Sequence, residues 1–492
     1  MVRSGNKNRK LIVVSNRLPF SRFSKNGKSV WIKSTGGLIT ALDPILRKYK
    51  GIWLGWDGNE ADDARGAGFR LIDIADIESR EEKGSKKGSY KIGCVPITKS
   101  EYEGYYNSFS NSTLWALFHY FFEKSSIEYP AWRTYCEVNK RFAEYITRVA
   151  SKDDIVWIQD FHLFMTPYYL RKIRPEQEIH FFLHTPFPNI DIFSILPWQS
   201  QIMKSLLCCN TVGFHHRQYL RNFMQAVKIH RKMLRRHGRK EDVEDVNGHF
   251  YVNPISIDYD IINRTSRKPD VIKRRNEIRR QASCPKILLG VDRIDYSKGI
   301  KERLLGLEML LENHPELKEQ FFYYQLVVPS REDVAAYVAL KKEIDEIIGR
   351  INGRFATGLW APVHYNYGTV NFNELVALYL AGDVALVTPL RDGMNLVCKE
   401  YVAAHSDNDG VLVLSKFAGA IAEIKNCLPV NPYSIEDIAN AIHQALHMAA
   451  PERKRRMKKM RDNISRHNIN TWLSDCFGQF EYSRKTHRHR QR

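Results

Sequence analysis

The segment Val291–Gly299 reads VDRIDYSKG and sets Arg293 and Lys298 just past a run of apolar residues. A guanidinium offers a planar fork and an ammonium a point charge, so the two together suit a diphosphate. A third arginine, Arg331, follows the next apolar run in VPSREDV. Further on, TPLRDGMNLV (388–397) turns at Asp392-Gly393 and passes through Met394, Asn395, Leu396 and Val397 into a helical pattern carrying Glu400. The N–H groups of a new helix favour an anion, and Glu400 offers acceptors to vicinal sugar hydroxyls. In the first half, Asn16-Arg17 follows the apolar Leu11–Ser15, and STGGL (34–38) presents Gly37 at a helix start. Asp160-Phe161-His162 and His184-Thr185-Pro186 follow two more apolar runs. No metal centre is expected, because no histidine pair is read at helical ligand spacing. Neither GxxxxGK[ST] nor a GxGxxG opening a strand–helix unit is present, so the anion need not be ATP or NAD. These residues alone point to an enzyme that binds a phosphorylated sugar or a sugar nucleotide.

The elements that must hold these groups recur along the whole chain. Strands are predicted at Leu11–Ser15, Gly51–Trp56, Asp154–Gln159, Ile179–His184, Thr211–Phe214, Phe250–Ile257, Lys286–Asp292, Tyr323–Val328, Asp383–Thr388 and Val411–Ser415. Several are near-continuous in apolar residues, the pattern of strands buried on both faces of a parallel sheet. Helical patterns such as Lys301–Asn313 and Val334–Ile348 lie between them. The alternation predicts an α/β, doubly wound architecture. A break near 255–270 divides it into two domains, 1–258 and 259–470, with a final helix at about 455–478 crossing back to the first and a basic disordered tail at 480–492. In open α/β sheets ligands bind beyond the carboxyl ends of the strands, so two such domains are expected to face each other across a deep cleft.

Composition narrows the class. The chain has 492 residues, 43% hydrophobic and 26% charged, which excludes a disordered or collagen-like chain. No apolar run approaches the ~18–20 residues of a membrane span, and Leu11–Val14 is too short for a signal-peptide core. Eight scattered cysteines without a CxxC fit reduced thiols, so a cytoplasmic location is expected. The net charge of +20 is concentrated in Lys228–Lys240, Pro451–Arg466 and Ser483–Arg492, each of which reads as a solvated face or tail. No aromatic residues interleave the basic tail, and nucleic acid is not an expected partner. Glu81–Ser89 (EEKGSKKGS) reads as a mobile loop.

Ten segments, in this order, resemble one family: VVSNRLPF (13–20), STGGL (34–38), WLGWDG (53–58), EGYYNSFSNSTLWALFHY (103–120), WIQDFHL (157–163), FFLHTPFP (181–188), VDRIDYSKG (291–299), VPSREDV (328–334), INGRF (351–355) and TPLRDGMNLVCKEYVAA (388–404). The set is similar to the α,α-trehalose-phosphate synthases, retaining glycosyltransferases of the GT-B type (family 20), over roughly residues 10–475. The resemblance implies two Rossmann-like domains. The N-terminal one would bind the acceptor and the C-terminal one the nucleotide sugar. It implies transfer of glucose from a nucleotide-activated donor, UDP-glucose foremost, to glucose 6-phosphate, with no further cofactor and no metal.

By position, Arg17, Tyr106 and Arg331 are implied to hold the acceptor phosphate, with Trp115 beside them. Trp56, Asp160 and His184 are implied to line the sugar pocket. Gly37 would approach the donor diphosphate, which Arg293 and Lys298 clamp. Asp392 and the backbone of Gly393, Met394, Asn395, Leu396 and Val397 would hold the transferred glucose, and Glu400 the ribose. Asp160, His184, Arg293 and Lys298 are thereby the implied catalytic groups. A front-face displacement, in which the leaving phosphate helps deprotonate the acceptor, is the mechanism the resemblance brings.

The chain departs from the family at Gln159 and Phe161, where His and Tyr are usual, and at Ser256, where Gly is usual. Donor base, oligomeric state and the role of Lys228–Lys240 are not readable. A homo-oligomer, or a complex with a separate trehalose-phosphate phosphatase, is compatible with the resemblance. Rival activities are a glucosylglycerol-phosphate synthase, suggested by DIFSILPW (191–198), a pseudo-glycosyltransferase forming a C–N bond, and a non-catalytic regulatory subunit. The retained Arg17, TGGL loop, Arg293, Lys298, Asp392 and Glu400 speak against them.

Overall fold

The structure, a computed structural model, describes residues 9–490 apart from 26–27, 34–36, 63–68, 79–87, 237–247, 283 and 331–333. Most of the expected loop at Glu81–Ser89 and part of Lys228–Lys240 therefore lie outside the described residues. The chain divides into two compact units, Met1–Pro254 with Trp472–Arg492, and Ile255–Thr471.

The first unit contains strands β1 (Leu11–Arg17), β2 (Phe20–Lys25), β3 (Lys28–Lys33), β4 (Ile52–Trp56), β5 (Leu71–Asp73), β6 (Lys91–Cys94), β7 (Ile155–Gln159), β8 (Glu178–Leu183), β9 (Thr211–Phe214) and β10 (His249–Val252). Eight of them form one sheet in the order β10-β9-β8-β7-β1-β4-β6-β5. Every pairing is parallel except β5 with β6. Val13 lies opposite both Trp53 and Trp157, and residues 11–16 of β1 are all buried. This is the two-sided burial that the continuous apolar run predicts. The pair β2–β3 forms a separate antiparallel hairpin.

The second unit contains β11 (Lys286–Arg293), β12 (Phe321–Val328), β13 (Val363–Tyr367), β14 (Val384–Val387), β15 (Val411–Ser415) and β16 (Leu428–Val430), all parallel in the order β13-β12-β11-β14-β15-β16. Leu288, Phe321 and Val413 from the sheet meet Leu304, Leu307, Ile344, Ile438 and Ile442 from the covering helices in one core. Gly306 lets two of these helices approach closely, since a Cβ there would lie 2.4 Å from Ile438 Cγ2. Both units are thus α/β with largely parallel sheets, the class the alternation predicts.

Four expectations need correction. The strand expected at Phe250–Ile257 ends at Val252. The Asn253 side chain instead donates to the Trp472 carbonyl at 2.9 Å, and Pro254 has no N–H to extend the ladder. The division between units falls at Pro254/Ile255 rather than 258/259. The single helix expected near 455–478 is two, Ala450–Arg466 and Ile469–Arg490, and only the second joins the first unit. That helix also replaces the disordered tail expected from 480. Trp472, Cys476, Phe480 and Ser483 make a buried stripe at helical spacing. Phe480 stacks on His180 with centroids 3.7 Å apart, and Ser483 Oγ donates to the Asn210 carbonyl at 3.0 Å. No helix among the described residues is long and apolar enough to cross a membrane.

Candidate active site

In the first unit the candidate residues gather at the carboxyl ends of β1, β4, β7 and β8. The register of β1 against β4 shifts between Val14 and Arg17, which puts Arg17 opposite Trp56. Such a bulge re-aims a side chain, and here the Arg17 guanidinium sits 4.3 Å above the Trp56 ring. Gly55 is required at the bulge, because a Cβ there would stand 2.9 Å from the Ser15 carbonyl oxygen and from the Leu18 nitrogen. The neighbouring Ser15 and Asn16 are braces. Trp53 Nε1 donates to Ser15 Oγ at 2.7 Å, and Tyr105 Oη donates to Asn16 Oδ1 at 2.9 Å.

Tyr106 and Trp115 come from a π-helix, Tyr102–Trp115, which periodicity does not reveal. Its wide turns are held partly by hydroxyls donating to carbonyls five residues back: Ser110 to Tyr105 at 2.7 Å and Ser112 to Asn107 at 2.9 Å. π-helical turns are often found at functional sites. A ladder of rings results, with Trp56 against Tyr102 (5.0 Å), Tyr102 stacked on Tyr106 (5.1 Å) and Tyr106 stacked on His162 (5.7 Å). Phe161 continues it from His162 to Trp115. Arg17, Trp56, Tyr106 and Trp115 are therefore brought onto one aromatic track. His162, read from the sequence as a polar residue past a strand end, belongs to it, and so does Tyr102, which was not among the predicted residues. The i, i+4 spacing of Tyr102 and Tyr106 was the available signal.

Asp160 follows β7 with φ of +69°, a conformation rare for a side-chain-bearing residue and a mark of stored strain. Its Oδ1 accepts the His184 backbone N–H at 3.2 Å. The His184 ring lies between Gln159 Oε1 (3.0 Å from Nε2) and His215 Nε2 (3.2 Å from Nδ1). With a carbonyl oxygen facing Nε2, the proton sits there and Nδ1 accepts from His215. Burial pushes the His184 pKa down to about 3, so the ring is neutral. Gln159, flagged above as a departure, is thus the residue that fixes this ring. Phe161 is buried in the aromatic track. Gly37 stands at the first position of the helix Gly37–Tyr49. Ser34–Gly36 of the same motif, and Arg331, lie outside the described residues.

In the second unit the donor-side residues gather beyond β11 and β14. Arg293 is exposed at the end of β11. Lys298 is buried, and its Nζ meets Asp392 Oδ2 at 2.6 Å. Asp392 also accepts from Asn395 Nδ2 at 3.2 Å and from the Met394 N–H at 3.4 Å. Asn395, at φ +73°, caps the helix Leu396–Ala404 by accepting the Cys398 N–H at 3.1 Å. Gly393 lies so close to Gly419 that a Cβ on the latter would reach the Gly393 carbonyl oxygen at 2.0 Å. Leu396 and Val397 open the helix, and Glu400 accepts from Tyr379 Oη at 2.7 Å. Burial raises the Glu400 pKa. Gly299, at φ +64°, passes within 2.3 Å (as a Cβ) of the Thr388 carbonyl oxygen and locks the two loops together. Beneath them lies Arg303, which the sequence reading missed. Its buried guanidinium ties Asp292, Tyr323, Gln325, Thr388 and the Lys298 carbonyl into one network. These groups can bind an anion beside a polyhydroxyl ligand: cations at Arg293 and Lys298, acceptors at Asp392 and Glu400.

Comparison with known proteins places this geometry. The model of "Glycosyltransferase family 20" matches residues 9–482. A trehalose-6-phosphate synthase of Mycolicibacterium paratuberculosis is 38% identical over 95% of this chain and 94% of its own. Among solved structures, a UDP-forming α,α-trehalose-phosphate synthase of Burkholderia xenovorans in complex with glucose-6-phosphate superposes with a TM-score of 0.83. It is 29% identical, over 96% of this chain and all of that one. A protein from E. coli bound with UDP-2-fluoro glucose gives 0.82 at 31% identity, covering 96% and 98%. This chain, with its two largely parallel-sheet units, belongs to glycosyltransferase family 20.

Proposed function

We propose that this chain makes α,α-trehalose 6-phosphate by transferring glucose from UDP-glucose to glucose 6-phosphate with retention. The observation that carries the reading is the Arg17–Trp56–Tyr102–Tyr106 track, in a chain similar end to end to a synthase solved with glucose-6-phosphate. Arg17 and Tyr106, with Arg331, hold the acceptor phosphate, a dianion suited to charge-assisted hydrogen bonds. Trp56 and Trp115 shape the pocket, Asp160 accepts from sugar hydroxyls, and neutral His184, its ring held by Gln159 and His215, lines the sugar pocket. Arg293 and Lys298 face the donor diphosphate, with Gly37 close to it. Asp392 and the backbone through Val397 hold the transferred glucose, and Glu400 the ribose.

In the reaction the bond from the glucosyl anomeric carbon to the diphosphate oxygen breaks, and its electron pair leaves with UDP. A new bond forms from that carbon to the acceptor hydroxyl oxygen on the same face. The hydroxyl proton passes to the departing diphosphate. Charge develops on that diphosphate, so preorganised Arg293 and Lys298 act more strongly in the transition state than in the ground state. No enzyme nucleophile and no metal is assigned to the step.

The test is release of UDP from UDP-glucose, with glucose 6-phosphate and glycerol 3-phosphate as rival acceptors and ADP- and GDP-glucose as rival donors. Release with UDP-glucose and glucose 6-phosphate only, lost in Arg293→Ala, is the expected result. Release with glycerol 3-phosphate alone would overturn the acceptor assignment. No release with any pair would make the chain a non-catalytic subunit. We further propose a cytoplasmic enzyme that acts as a homo-oligomer or beside a separate trehalose-phosphate phosphatase. Light scattering of the pure chain, alone and with the phosphatase, tests the assembly.

A further inference from the structure

The sequence reading passed over one histidine pair at helical ligand spacing, His443 and His447 in the last turns of the helix Ile435–His447. A third histidine, His314, follows the last residue of the helix Ile300–Asn313 and leads through Pro315 to Glu316. The rings stand in file, His314 against His443 at 4.1 Å and His443 against His447 at 4.3 Å. We propose that His314, His443 and His447, with Glu316, bind one divalent transition-metal ion such as zinc, stapling together the C-terminal ends of these two helices.

Three observations support the site. Ligand atoms of His314, Glu316 and His443 all lie within 4.8 Å of one another. A tetrahedral ion with bonds of ~2.1 Å holds its ligand atoms about 3.4 Å apart, so closure by little more than an ångström suffices. Glu316 and His447 are exposed and the other two rings only part-buried, which leaves room for that rotation.

Second, two ring nitrogens are already placed. His314 Nδ1 stands 3.0 Å from Glu316 Oε1, so these two ligand atoms are adjacent. His447 Nδ1 meets the His443 carbonyl at 2.9 Å, and donation there leaves its Nε2 lone pair for a metal, the arrangement in which a carbonyl orients a histidine ligand. Third, both helices end at the cluster, and their C-terminal carbonyls favour a positive charge there.

Imidazole-rich sites select zinc, copper or nickel over magnesium or calcium. The helix Ile300–Asn313 has 14 residues and spans ~21 Å, with Lys298 just beyond its other end. The metal would therefore brace the second unit without entering the transfer chemistry.

The experiment is calorimetric titration of zinc, then magnesium, into the full chain after treatment with a chelator, alongside thermal unfolding. One zinc per chain, no magnesium, and a zinc-dependent rise in the unfolding midpoint are expected. His443→Asn and His314→Asn are each expected to weaken zinc binding at least tenfold, with UDP release unchanged as the check that they fold. The variant His467→Asn, whose ring meets Asn463 away from the cluster, keeps the site. Zinc binding that survives His443→Asn undiminished, or no binding at micromolar zinc, would overturn the proposal.

Discussion

Replacing Arg303 with Met removes a buried cation beneath the loops that carry Lys298 and Asp392. Its Nη1 donates to Asp292 Oδ2 at 2.6 Å and to Tyr323 Oη and Gln325 Oε1 at 3.0 Å. Nε donates to Thr388 Oγ1 at 3.0 Å, and Nη2 to the Lys298 carbonyl at 3.2 Å. The Arg303 side chain is 0% exposed and that of Asp292 3%, so the carboxylate left behind cannot turn to water. Breaking a buried pair from one side costs about 3–5 kcal/mol. At ~2–4 °C per kcal/mol for a unit of this size, the unfolding midpoint of the second unit falls by about 6–20 °C. Scanning calorimetry reads this directly, because the two units can unfold separately. The companion variant Arg303→Met/Asp292→Leu removes both charges and is expected to regain most of the loss. A double variant as unstable as the single would refute the electrostatic account and leave packing as the cause. In the same preparations the KM for UDP-glucose rises, since Arg303 positions the Lys298 and Thr388 backbones without touching substrate.

Gly290→Ala attacks the same network sterically. Its Cβ would stand 2.1 Å from Tyr323 Oη, 2.5 Å from Gln325 Oε1 and 2.7 Å from Arg303 Nη1. A loss of about 1–3 kcal/mol by denaturant unfolding is expected, and an unchanged midpoint would show that the cluster yields. Lys298→Met is expected to lower kcat/KM for the donor about 10²–10³-fold in the UDP-release assay; a change under threefold would remove Lys298 from the diphosphate clamp. His184 has a folded pKa of about 3 against ~6.5 when unfolded. Between those values the unfolded state binds more protons, so stability rises with pH from 3 to 6.5. His184→Gln is expected to flatten the dependence of the thermal midpoint on pH in that window, and curves that stay parallel would place the ring in water.

Legibility in the sequence followed the kind of physical signal each feature leaves. Runs such as LIVVS, IVWIQ and KILLGVD are apolar because parallel strands are buried on both faces, and they marked β1, β7 and β11 to within two residues. The hairpin β2–β3 leaves Phe23, Val30 and Ile32 exposed, so no core signal announced it. The π-helix Tyr102–Trp115 fits neither a 3.6 nor a 2.0 period. The charge of Ser483–Arg492 hid a helix whose buried stripe was set by Trp472, Cys476 and Phe480. At the site, residues just past strand ends were readable because that position is where such sheets bind ligands. Arg303 was not, because a charge in the first turn of a helix reads as surface until its partners on β11, β12 and after β14 are brought together by the fold.

The return of the helix Ile469–Arg490 to the first unit orders events on the ribosome. Strands β7 and β8 present Trp157, His180 and Phe182, and this face is covered by Trp472, Phe477 and Phe480. The whole of 255–471 is translated in between, roughly 10–40 s at ~5–20 residues per second. The second unit, continuous in sequence, can complete itself in that interval, while the first waits with an aromatic face open. A nascent chain stalled before residue 472 is therefore a natural client for chaperones, and one released there would aggregate through the first unit although the second is finished.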